Sequence, residues 1–71
     1  MSQRPPMALM VGRLTEADRY KGYDVTIAAW PLVLERVPGA QLVVVGDGDD
    51  RARLEQSAQI LPANAGARIR F

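Results

Sequence analysis

Apolar residues fall in short blocks, and the polar stretches between them begin or end on glycine or proline. Met7-Ala8-Leu9-Met10-Val11 is a continuous apolar run closed by Gly12. A run of that length between breakers predicts a strand buried on both faces. Gly12 to Gly22 is polar throughout its middle and predicts a loop. A connection that long inside a small domain is often a functional one. From Asp24 to Val37, the positions Ile27, Trp30 or Pro31, Leu34 and Val37 recur at helical spacing. Asp24 is placed to cap that helix and Pro38-Gly39 to stop it. Pro31 lies inside, where it removes a hydrogen bond at a cost of about 3 kcal/mol. The pattern therefore predicts a kinked helix, or two shorter ones with Pro31 near the start of the second.

Gln41-Leu42-Val43-Val44-Val45 is β-branched, continuous and closed by Gly46-Asp47-Gly48, which predicts a second strand. Asp49 or Asp50 is placed to cap a second helix running to about Leu61, with Ala52, Leu54, Ala58 and Leu61 on its apolar side. Pro62 to Gly66 predicts a turn. Ala67, Ile69 and Phe71 alternate with Arg68 and Arg70, which predicts a third strand. Strand, helix, strand, helix, strand in that order argues for parallel pairing. The expected fold class is α/β: a three-stranded parallel βαβαβ Rossmann-like half-domain. Residues 1–6 form an irregular lead-in, with two prolines, and residues 7–71 a partial Rossmann-like domain. Such a half-sheet has two open edges and incomplete helical cover, and its end at Phe71 reads as a piece of a larger domain.

Composition narrows the chemistry. A chain of 71 residues is one small domain with a marginal core. With no Cys and no His, disulfides, Cys or His metal sites and His-based triads are excluded. Nine basic and eight acidic residues leave a net charge of +1, so no nucleic-acid surface is indicated. Eight of the nine basic residues are Arg, and Lys21 is the single lysine. No stretch has the length and apolarity of a signal peptide or a membrane-spanning helix, which predicts a cytoplasmic protein.

Two places can carry chemistry. Gly12-Arg13 follows the first strand, and Lys21-Gly22 closes the same loop just before a helix. Ligands of parallel sheets bind beyond the carboxyl ends of the strands. A forked guanidinium, a mobile ammonium and a helix N-terminus together suit a diphosphate. By local chemistry alone the same two cations read more readily as solvated loop charges paired with Glu16 or Asp18. Gly46-Asp47-Gly48 follows the second strand and reads either as a turn that brings backbone N–H groups to a ligand or as a plain strand-to-helix turn. It is no dinucleotide fingerprint, because Arg51 stands where a third glycine belongs. Asp47, Asp49 and Asp50 suit helix capping better than a magnesium site. Trp30 reads as core or interface, and Tyr20 and Tyr23 flank the Lys21-Gly22 turn.

The ordered set Val11-Gly12-Arg13-Leu14, Tyr20-Lys21-Gly22-Tyr23-Asp24, Val37 through Gly48, Leu54-Glu55 and Ile69-Arg70-Phe71 resembles glycosyltransferase family 4. The resemblance covers about residues 7–71 and is to the first half of the carboxy-terminal, nucleotide-sugar-binding domain. It implies a two-domain GT-B enzyme that retains anomeric configuration and needs no metal or other cofactor. Its partners are a nucleotide-diphosphate-sugar donor and an acceptor, whose domain is missing from this chain. It implies a location in the cytoplasm or peripheral to the membrane. By the family's motifs Arg13 and Lys21 contact the donor diphosphate, with Gly12 and Gly22 beside them, and Gly46, Asp47 and Gly48 shape the wall of the nucleotide site. The family's pair of glutamates is absent from the sequence, so the isolated chain is expected to be an inactive part of a hexosyltransferase-type enzyme. The alternatives are an inactive truncated βαβαβ module and a flavodoxin-like regulatory domain, for which Asp47 is the one candidate phosphoacceptor.

Overall fold

The computed structural model describes residues 6–71. Residues 1–5 of the predicted lead-in lie outside the described residues. The elements run β1 (Met7–Val11), a 3-10 helix (Glu16–Lys21), α1 (Tyr23–Arg36), β2 (Gln41–Val45), α2 (Arg51–Gln59), α3 (Ala63–Gly66) and β3 (Ile69–Arg70). The strands form one parallel sheet in the order β1-β2-β3. The chain is thus an α/β, βαβαβ Rossmann-like half-domain, as the alternation of strand and helix patterns predicts.

Register follows directly from the apolar runs. Leu9 pairs with Val43 and Val11 with Val45, while Leu42 pairs with Ile69. Side chains alternate between faces, so Leu42 and Val44 share one side of β2. Both are buried, and they pack with Ile27 and Trp30 of α1, Leu54 and Ala58 of α2, and Ile69 in one cluster. Both long helices therefore cover the same face of the sheet.

The other face is open, and this corrects the expectation for the first strand. Met7, Leu9 and Val11 are well exposed, and so is Val45. Met7–Val11 is not buried on both faces: only Met10 packs on the core from the helix side. A continuous apolar run predicts cover on two faces, but with the strands in the order β1-β2-β3 both connecting helices lie on one side.

Local boundaries differ from the sequence pattern at several points. The first helix begins at Tyr23 with Gly22 as its N-cap, not Asp24. Gly22 holds φ 88°, a left-handed conformation that lets the 3-10 helix end and α1 begin at one residue. Asp24 sits in the first turn, where its charge suits the helix dipole. The helix ends at Arg36, one residue earlier than the pattern predicts, and runs through Pro31 without a break. Burial of Ile27 and Trp30, both in the turn before Pro31, offsets the loss of its hydrogen bond. The Trp30 indole N–H donates to the Ala40 carbonyl at 3.1 Å and ties the helix to the start of β2. The second helix stops at Gln59 rather than near Leu61. Pro62–Gly66 is not a simple turn, since α3 follows Pro62 as a four-residue helix. The third strand is reduced to Ile69–Arg70. Among the described residues no helix is long and apolar enough to cross a membrane.

Candidate functional site

The two glycine-flanked loops predicted to carry chemistry meet at the carboxyl ends of β1 and β2. Gly12 N–H donates to the Val45 carbonyl at 3.0 Å, so the ladder continues one residue beyond the strands. Leu14 N–H then donates to the Asp47 carbonyl at 3.0 Å, and Asp50 N–H to the Leu14 carbonyl at 2.8 Å. The loops are sewn together by backbone groups. Glycine is required for that closeness. A side-chain carbon at Gly46 would collide with the Gly12 carbonyl, and one at Gly48 with the Leu14 carbonyl. Leu14, between these contacts, is fully buried.

The stretch between Gly12 and Gly22 is not the open loop that its polarity predicts. Its second half is the 3-10 helix Glu16–Lys21. Asp18 in that helix is buried, and its carboxylate accepts from Thr15 Oγ1 at 2.5 Å. Lys21 Nζ lies 3.2 Å from Asp18 Oδ1, and Arg13 Nε lies 3.4 Å from Asp18 Oδ2. Of the two partners that the sequence offered these cations, Asp18 is the one they take. The Thr15 hydroxyl, with Lys21 and Arg13 beside it, holds the Asp18 carboxyl below its usual range against the opposing effect of burial. Two cations thus converge on one carboxylate, an excess of one positive charge. The Arg13 side chain is 78% exposed and that of Lys21 37%, so both present donors to solvent.

Gly12 leaves room for Tyr23, which is buried: a carbon on Gly12 would stand 2.6 Å from the Tyr23 hydroxyl and 3.8 Å from Lys21 Nζ. The Tyr23 hydroxyl thus lies against Gly12. Tyr20, by contrast, is exposed and takes no part.

A second cluster of charge braces the same loop and was not legible in the chain. Asp50 is buried, and it holds the N-cap position of α2 without making a side-chain cap bond. Its carboxylate instead accepts from Arg19 Nε and Nη2 at 3.1 and 2.9 Å, and from Arg53 Nε and Nη2 at 2.8 and 2.7 Å. Arg53 also reaches Asp24 with both terminal nitrogens, at 2.7 and 2.9 Å. The Arg53 and Arg19 bonds drive the Asp50 carboxyl far below its usual range, and the Arg53 bonds also lower Asp24. In turn Asp50 and Asp24 raise Arg53, and Asp50 raises Arg19. Only the Asp50–Arg53 spacing of three residues on one helix could have signalled this network.

The acidic trio separates. Asp50 is internal, Asp49 accepts from the Glu16 backbone N–H at 3.1 Å, and exposed Asp47 accepts from Gly48 N–H at 2.9 Å. The dedicated capping role expected of Asp49 or Asp50 is replaced by loop bracing. Among the described residues no group of three or more acidic side chains is placed to hold a metal ion.

Comparison with known proteins gives one match. A family model described as "Glycosyl transferases group 1" matches residues 5–71, nearly the whole chain. The chain belongs to that family. No match was found among curated proteins or among solved structures. In this group 1 glycosyltransferase chain, Gly12, Arg13, Lys21, Gly22, Gly46, Asp47 and Gly48 all lie at one end of the sheet. Arg13 and Lys21 are brought together on Asp18, and Gly46 and Gly48 pack against the loop that carries Arg13.

Proposed function

We propose that the chain binds the diphosphate of a nucleotide-sugar donor within a retaining glycosyltransferase of family 4. The observation that supports this most directly is the convergence of Arg13 and Lys21 on Asp18 at the carboxyl ends of the parallel strands. Ligands of open parallel sheets bind at that end. An exposed guanidinium and ammonium there would neutralise the nucleoside diphosphate as the bond from sugar to phosphate oxygen breaks. Gly22 would admit the phosphates close to the backbone, Gly12 would make room for the Tyr23 hydroxyl beside them, and Gly46, Asp47 and Gly48 would form the neighbouring wall. The sugar, base and acceptor would be read by other parts of a GT-B enzyme of hexosyltransferase type, in the cytoplasm or at its membrane surface. The 71-residue chain would by itself transfer no sugar.

Nucleoside diphosphates of uridine, guanosine and adenosine are to be titrated into the labelled chain at low ionic strength, with backbone amide shifts followed by NMR. Saturable shifts at Gly12, Arg13, Lys21 and Gly22 are expected, and they should vanish in the Arg13→Ala/Lys21→Ala variant. Shifts elsewhere, or unchanged binding in that variant, would remove the assignment.

A further inference from the structure

Arg13 and Lys21 stand eight positions apart in sequence, yet one buried carboxylate touches both. The Arg13 side chain is 78% exposed and so is not held by packing, while that of Lys21 is 37% exposed and keeps its ammonium end near the surface. Long charged side chains in water sample many rotamers, and fixing them costs entropy at the moment a ligand binds. Asp18 itself is fixed. It is buried, its backbone N–H donates to the Thr15 carbonyl at 2.9 Å, and its carboxylate is gripped by the Thr15 hydroxyl. The 3-10 helix that carries Asp18 is braced in turn by Arg19 on Asp50 and by the Glu16 N–H on Asp49.

We propose that Asp18 is a positioning residue, whose buried carboxylate gathers Arg13 and Lys21 into one preformed pair facing the phosphate groups of the ligand. The proposal rests on the diphosphate reading above. Asp18 does not touch the ligand and acts through the two cations alone. One negative charge against two positive leaves the pair attractive to an anion. Asp18 also repels the ligand, but the two cations it holds more than offset its single charge, and the loss of a fixed geometry costs more.

The probe is inorganic pyrophosphate, titrated calorimetrically into the full chain. Asp18→Asn keeps an oxygen for Thr15 and removes the charge. It is expected to weaken pyrophosphate binding about tenfold, the scale of a modest misplacement of binding groups. In the unaltered chain Arg13→Ala should also cost about tenfold. In the Asp18→Asn background it should cost less than about twofold, because Arg13 is no longer placed. Equal costs in both backgrounds, or tighter binding by Asp18→Asn, would overturn the proposal. A purely structural role would lower the melting temperature and leave the two substitutions independent. If Asp18→Asn does not fold, Thr15→Val carries the test, since it keeps the charge and frees the carboxylate. A loss of at least about threefold supports the proposal, and unchanged affinity overturns it.

Failure of the diphosphate reading shows separately, as no pyrophosphate binding in the unaltered chain or full binding by Arg13→Ala/Lys21→Ala. Asp18 is then judged on side-chain order in the ligand-free chain. Arg13 Nε and Lys21 Nζ relaxation should show more motion in Asp18→Asn, and equal motion would reject the gathering role.

Discussion

Arg53 clasps Asp24 across two helices, with its two terminal nitrogens 2.7 and 2.9 Å from the two carboxylate oxygens. The same guanidinium also holds buried Asp50, four residues' worth of charge being joined once Arg19 is added. Arg53 is the centre of this chain of ion pairs, and Asp24 is its outer end. Arg53→Ala should therefore lower the melting temperature more than Asp24→Ala does. Arg53→Lys should not restore it, because an ammonium cannot present the fork that two carboxylates share. Thermal melts of the three variants by circular dichroism check the order.

Acid should weaken the fold in a defined window. Asp18, Asp24 and Asp50 all have carboxyl groups held below their ordinary value of 3.8 by the Thr15 hydroxyl, by Arg53, and by Arg53 with Arg19. Between the lowered folded value and the ordinary one, the unfolded chain binds more protons than the folded chain. The stabilisation is present above the ordinary value and is lost as pH falls through the folded value. Stability should be nearly flat from neutrality to about pH 5 and fall steeply below about pH 4. Urea denaturation at stepped pH measures it, and Asp50→Asn should make the acid limb shallower.

Gly48→Ala tests the seam between the loops. A methyl group there would meet the Leu14 carbonyl, and the residue also holds φ 156°. Relieving the clash means parting the two loops, and overpacking of that kind costs about 1–3 kcal/mol. Denaturant unfolding gives the loss. Asp47→Ala, next to it, should cost little, since the seam uses the Asp47 carbonyl rather than its exposed carboxylate.

Leu42→Ala tests the core beneath the site. Leu42 is wholly buried at the centre of the sheet. Truncation of a buried leucine costs about 2–5 kcal/mol. A domain this small has a total stability of about that size, so the variant should be largely unfolded at room temperature. Loss of the cooperative thermal transition in circular dichroism is the expected result.

The α/β class and the parallel pairing of three strands were legible in the chain alone, as was the grouping of the candidate residues in two glycine-flanked loops. Strands and helices announce themselves through local spacing, and glycines mark where the chain must turn. The bounds Met7–Val11 and Gln41–Val45 follow from those runs alone. Candidate residues Gly12, Arg13, Lys21 and Gly22, and Gly46 to Gly48, were legible as loop chemistry beyond strand ends.

What those residues touch depends on the packing of distant segments. The sequence offered Arg13 and Lys21 either Glu16 or Asp18, and the 3-10 helix, tied to Asp49 and Asp50 ahead of α2, sets buried Asp18 within reach of both. Asp24 and Asp50 both looked like helix caps, because a cap is a local motif. Their actual partner Arg53 is 29 residues from Asp24, and no local pattern encodes a contact of that span. Likewise an apolar strand reads the same whether one face is covered or two. Which faces of Met7–Val11 meet helices depends on where the crossovers carry the chain, and here they carry both helices to one side.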